Sequence, residues 1–150
     1  MNKESNIALI LVKVNFVERY RNLRLAHQSE NRFQNYDKEK VVVILKDFGY
    51  EAKFVRNGEF FKIFQKEGFC SFQLNICLKY GIVELILDIV NGDERLEPVG
   101  PFGLILRGLG VEEKVFKPTF RDYDELFLIL KEVFQLFEDI KGETLLMITK

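Results

Sequence analysis

The sequence predicts an α+β fold: two N-terminal helices, a four-stranded antiparallel meander over residues 51–90, a long loop and a C-terminal helix, with the helices on one face of the sheet. Three observations predict it. Apolar residues recur at helical spacing near both ends of the chain. The dipeptides Asn57-Gly58, Glu67-Gly68 and Tyr80-Gly81 are turn signals that cut the middle into strand-length segments. Pairing those segments across the turns gathers the apolar side chains on one face.

Ile7, Leu11, Val14 and Val17, followed by Phe16, Tyr20 and Leu23, predict one long helix over residues 5–26. Residues 27–35 are polar and predict a loop. Asp37 is placed to cap a second helix through Phe48, and Gly49 to end it. With two-residue loops at all three turns, Phe54 faces Phe61 and Ala52 faces Ile63. Ile63 then faces Phe72, and Phe61 faces Leu74. Leu74 faces Leu87, Phe72 faces Ile89, and Ile76 faces Leu85. One face is therefore Ala52, Phe54, Phe61, Ile63, Phe72, Leu74, Ile76, Val83, Leu85, Leu87 and Ile89, and a one-residue slip at any turn breaks that agreement. Residues 91–118 predict an irregular connection punctuated by Gly and Pro. Asp122 and Glu125 form a capping pair for a last helix whose apolar stripe is Leu126, Leu130, Val133, Phe137 and Ile140. Gly142 follows it, and Thr144 to Thr149 predicts a short terminal strand.

The opposite sheet face is mixed. One row reads Lys53, Lys62, Gln73, Asp88; the next reads Val55, Phe60, Asn75, Ile86; Phe64 lies beyond the polar row. A plain solvent face would be more uniformly polar. Two readings follow. Either the C-terminal segment or the 98–110 loop covers Phe60, Phe64 and Ile86, or the face is an exposed patch of aromatic anchors crossed by polar groups, as in a protein–protein site.

The chain has 150 residues, the usual size of one domain, and its composition is that of a globular rather than a disordered protein. A net charge of −1 lacks the global basic signature of a nucleic-acid binder. Ile7 to Val12 is too short for a signal-peptide core and is interrupted by Lys13, and no stretch has the length of a membrane span. Cys70 and Cys77 fall on one strand about 23 Å apart, beyond disulfide reach. Reduced thiols and the missing leader predict a cytoplasmic protein.

The chemistry-bearing residues are sparse. His27, the one histidine, has no nucleophile or metal-ligand cluster beside it and reads as a surface residue of the 27–35 loop. Cys70 reads as core and Cys77 as a resident of the mixed face. Glycines 100, 103, 108 and 110 lack the Lys-Ser/Thr end of a phosphate loop. Glu84 and Asp88 stand about 13 Å apart along one strand, too far for a glycosidase pair. Residues 91–97 do not match a calcium loop. Asp93, Glu94 and Glu97 read first as a solvated acidic rim, and second as a surface for a basic partner. Arginines 19, 21, 24 and 32 with Lys38 and Lys40 read as a solvated basic face, without the aromatic platform of a nucleic-acid site. The expectation is a binding protein rather than an enzyme, without cofactor or metal, and without direct contact to nucleic acid or membrane.

Pro101-Phe102 with Arg107, Lys117-Pro118, Tyr123, the run Glu125-Leu126-Phe127-Leu128-Ile129-Leu130 and Asp139-Ile140-Lys141 make a pattern over about a third of the chain. In it the second half resembles small bacterial immunity proteins of contact-dependent inhibition and polymorphic toxin systems. The resemblance implies a cytoplasmic protein that binds one cognate toxin domain and neutralises it by contact. The expected partner surface is Phe60, Lys62, Phe64, Gln73, Ile86 and Asp88, with Asp93, Glu94 and Glu97 of the following loop. Rival expectations are a chaperone or adaptor for a secreted effector, an enzyme of unrecognised type acting from residues 91–118, and a homo-oligomer pairing through the mixed face.

Overall fold

The computed structural model describes residues 3–148. The elements in chain order are α1 (Lys3–Lys13), α2 (Phe16–Ala26), α3 (Lys38–Asp47), β1 (Ala52–Val55), β2 (Phe60–Glu67), β3 (Cys70–Cys77), β4 (Glu84–Asn91), β5 (Glu94–Arg95), β6 (Gly100–Pro101), α4 (Phe102–Gly108) and α5 (Tyr123–Ile148). The fold is α+β, as the sequence predicts. The antiparallel sheet runs β1-β2-β3-β4-β5, with β6 also on β4.

The predicted first helix is two helices. Asn15 sits between them in the left-handed region at φ 61°, and its carbonyl opens α2 by accepting from the Arg19 N–H. Asparagine tolerates that region better than most residues. The residues that read as one helix belong to two axes: Ile7 and Leu11 lie on α1, with Val14 just past its end, while Phe16, Val17, Tyr20 and Leu23 lie on α2, all buried except half-buried Val17. The second predicted helix is α3, with the Asp37 carboxylate accepting from the Glu39 N–H as its cap.

The inner sheet face is as predicted. Phe61, Ile63, Phe72, Leu74, Ile76, Val83, Leu85, Leu87 and Ile89 are all buried, while Ala52 and Phe54 at the edge are half-buried. β1 and β2 pair as predicted, Phe54 with Phe61 and Ala52 with Ile63, yet the connection is the four-residue loop 56–59, and positive φ falls at Gly58 and Glu59 rather than at Asn57. β2 and β3 are offset by two residues from the prediction: Phe61 pairs Ile76 and Ile63 pairs Leu74. The turn there is Gly68-Phe69, because Glu67 still pairs Cys70 and Gly68, not Glu67, takes the positive φ of 61°. A slip of two leaves every side chain on its predicted face. β3 and β4 pair as predicted, through Tyr80 and Gly81 at φ 60° and 71°.

The helices and the 27–35 segment close over the inner face. Phe33 donates its N–H to the Phe120 carbonyl, and Phe120 donates to Gly81, so the polar loop is tied down against residues 118–120. A short helix, α4, stands where an irregular connection was expected. Its Phe102, Ile105 and Leu106 are buried at helical spacing, and Phe102 meets Phe16 and Tyr20 edge-on at 5.0 and 5.1 Å. Burial of that stripe outweighs the poor helix propensity of Gly103. The capping pair of α5 is present: Asp122 accepts from the Glu125 N–H at 2.8 Å, and Glu125 Oε1 accepts from the Arg121 N–H at 2.9 Å. No terminal strand forms over residues 144–148. α5 continues through Gly142, the Thr144 hydroxyl donates to the Ile140 carbonyl at 2.7 Å, and Leu145, Met147 and Ile148 pack on the core. Thr149 lies outside the described residues.

Candidate functional site

Strand alternation sends every second residue of the meander to the outer face. The register of β2 on β3 sets the rows there. They read Lys53, Lys62, Asn75, Ile86; then Val55, Phe60, Cys77, Glu84; then Phe64, Gln73, Asp88. This corrects the expected rows: Gln73 and Asp88 lie beside Phe64, not beside Lys62. The set of residues on the face is unchanged. None of them is buried, and Phe64 is 52% exposed. Of the two expected covers, the 98–110 segment meets this face at its edge, where Pro101 pairs with Ile86, and leaves Phe60 and Ile86 half-buried and Phe64 exposed. α4 turns Phe102 into α2, and α5 packs with α1 and α2.

Apolar and polar groups interleave across it. Lys62 Nζ lies 5.8 Å from the centre of the Phe64 ring, and Gln73 donates to Asn75 at 3.0 Å. At one end a hollow of about 370 Å3 is walled by Phe60, Cys77, Tyr80, Ile82 and Ile86. The Glu84–Lys117 ion pair lies at its rim. At the other end the acidic rim is knitted together: Arg95 bonds Asp88 at 2.9 Å and approaches Glu97 at 3.6 Å, while Glu97 also accepts from the Val99 N–H. Asp93 and Glu94 are exposed beside it. The structure thus brings Phe60, Lys62, Phe64, Gln73, Ile86 and Asp88 onto one surface and sets Asp93, Glu94 and Glu97 at its edge. Sequence reasoning missed Arg95, whose charge offsets much of the rim, and Phe69, which is 84% exposed at the Gly68-Phe69 turn. An apolar residue directly after a turn glycine was the available signal for the latter.

Two other expectations change. His27 is no free surface residue. Its side chain is 14% exposed, and Nδ1 lies 2.9 Å from Glu125 Oε2, so the carboxylate that caps α5 also fixes the end of α2. Arg24 is not on a solvated face. It is 4% exposed and its guanidinium lies 5.1 Å from the centre of the Tyr20 ring, whereas Arg21, Arg32, Lys38 and Lys40 are exposed. Cys70 is core as expected; burial, with a smaller effect of Glu67, raises its thiol pKa and makes it inert. Glu84 and Asp88 each have a cationic partner, so the two carboxylates work separately.

Among the described residues, no group of three or more His, Cys, Asp or Glu side chains stands where it would hold a metal ion. Nor is any helix among them long and apolar enough to cross a membrane. Comparison with protein-family models, with curated proteins and with solved structures finds no match to this chain.

Proposed function

We propose that this chain is an inhibitory binding protein of the immunity type, which holds a cognate bacterial toxin domain against the outer face of its sheet. The observation that carries the reading is the mixed outer face, on which none of the anchors is buried and Phe64 is exposed. Phe60, Phe64 and Ile86 offer apolar anchors on a rigid sheet, and Lys62, Gln73 and Asp88 stand among them. Binding energy at such surfaces concentrates in a few desolvated anchors, while flanking charge sets register and encounter rate. The ion pairs at the two ends are pre-formed, so the polar groups enter the complex with little reorganisation. Inhibition then needs no chemistry from this chain, since occupying the toxin's active surface is sufficient.

The experiment is co-expression with the product of the adjacent upstream gene, purification through a tag on this chain alone, and growth under induction of that product. A stoichiometric partner whose toxicity this chain suppresses is the expected result. A clean monomer or homodimer, with growth still arrested, would overturn the proposal.

A further inference from the structure

A second hollow, of about 540 Å3, opens between α2, α4 and residues 111–117 beside the start of β4. Its volume is that of a small-ligand site. The wall is largely apolar: Leu85, Phe102 and Val115, with Tyr20. The mouth is cationic. Arg107, Lys114 and Lys117 line it, and Glu84, the one carboxylate among the lining residues, is bonded to Lys117. Arg107 and Lys114 have no carboxylate partner among the described residues, and both are exposed at the mouth.

A fourth cation, Arg24, stacks on Tyr20, one of the lining residues. Arg24 lies one turn along α2 from Tyr20 and is 4% exposed. Its Nε and Nη2 find no hydrogen-bond partner among the described residues. A buried guanidinium normally meets a carboxylate or several carbonyls, because an unpaired buried charge is costly. Only the Tyr20 ring, which lines the hollow, is shown between this charge and a site whose one carboxylate is already bonded to Lys117. Positive potential over low-dielectric walls attracts and retains an anion, and the apolar wall favours an anion that carries a hydrocarbon body.

We propose that this hollow binds a small amphiphilic carboxylate, with its head at Arg107 and Lys114 and its body along Phe102, Leu85 and Val115. The two hollows share only Glu84 and Lys117, so the inference is independent of the protein-binding role and survives its failure.

The test is isothermal titration of the full chain with decanoate, with decanol and inorganic phosphate as probes of the body and the charge alone. Decanoate is expected to bind saturably, with decanol and phosphate weaker by about tenfold or more. Exchanging the exposed pair, Arg107→Glu with Lys114→Glu, is expected to weaken decanoate by about tenfold or more without changing the circular-dichroism melt. Arg24→Met, which removes the buried charge, is expected to weaken it by about threefold to tenfold. No decanoate binding, equal binding of decanol or of phosphate, or an unchanged affinity in the Arg107/Lys114 variant would each overturn the proposal.

Discussion

At the scale of single residues, the two thiols show how position on a strand decides chemistry. Cys70 and Cys77 are seven residues apart, so alternation sends one to the core and the other outward. Burial raises the Cys70 thiol above its ordinary value, and Cys77 is half-buried in the wall of the outer hollow. Iodoacetamide should therefore alkylate Cys77 well before Cys70, by about a hundredfold in rate if Cys70 needs substantial opening of the fold. Peptide mapping by mass spectrometry over a time course checks this, and equal rates would contradict the placement of β3. This pair was legible in the sequence because parity alone determines it. The His27–Glu125 bond was not, since it joins residues 98 positions apart and the sequence marks neither as a partner of the other. Burial of Arg24 was legible only from spacing: it stands four residues after Tyr20 and eight after Phe16, on the inward stripe of α2, whereas Arg19 and Arg21 do not.

At the scale of elements, period-two patterning explains both what was legible and what was not. Alternation names the residues of each face but leaves the register free by steps of two. The β2–β3 offset is such a step, settled by which residue takes the positive φ at the turn. The β3–β4 turn carries a further constraint. A Cβ on Gly81 would lie 2.6 Å from Arg32 Cβ and 2.7 Å from the Phe33 nitrogen, and its φ of 71° already disfavours a side chain. Gly81→Ala should thus destabilise the protein by about 3 kcal/mol, from backbone strain plus overpacking against the 27–35 segment. Urea unfolding measures it, and a loss within the usual scatter of surface substitutions would contradict the close approach of that segment. For the helices, Asn15 and Gly142 show why glycine and asparagine are unreliable punctuation. Left-handed Asn15 breaks a continuous apolar pattern, whereas Gly142 passes inside α5 because Ile140, Thr144 and Leu145 on either side pack inward.

At the scale of the whole molecule, one sheet face is sealed by helices and the other is open, and the sealed side governs the pH response. Burial raises the Tyr20 hydroxyl to about 12 against the opposing effect of Arg24. Burial, then the hydrogen bond to Glu138 at 2.6 Å, raises Tyr50 further. Unfolded tyrosine ionises near pH 10. Because the folded values lie higher, this stabilisation is fully present below about pH 10 and is lost as pH rises through the folded values. Thermal unfolding followed with tyrosinate absorbance should show stability level with respect to these groups up to about pH 10 and then falling, by about 1.4 kcal/mol per pH unit for each buried tyrosine. Tyr50→Phe should flatten that fall. The open side carries the central claim. Membership of the outer face was legible from alternation, but its exposure was not, because covering it depends on where α4 and α5 go. The most direct measurement is protection against the cognate toxin by the double variant Phe60→Ser with Phe64→Ser. Protection and complex formation are expected to be lost, with affinity weakened by about a hundredfold or more, while the core and the fold remain intact. A correctly folded double variant that protects and binds as well as the original chain would contradict it.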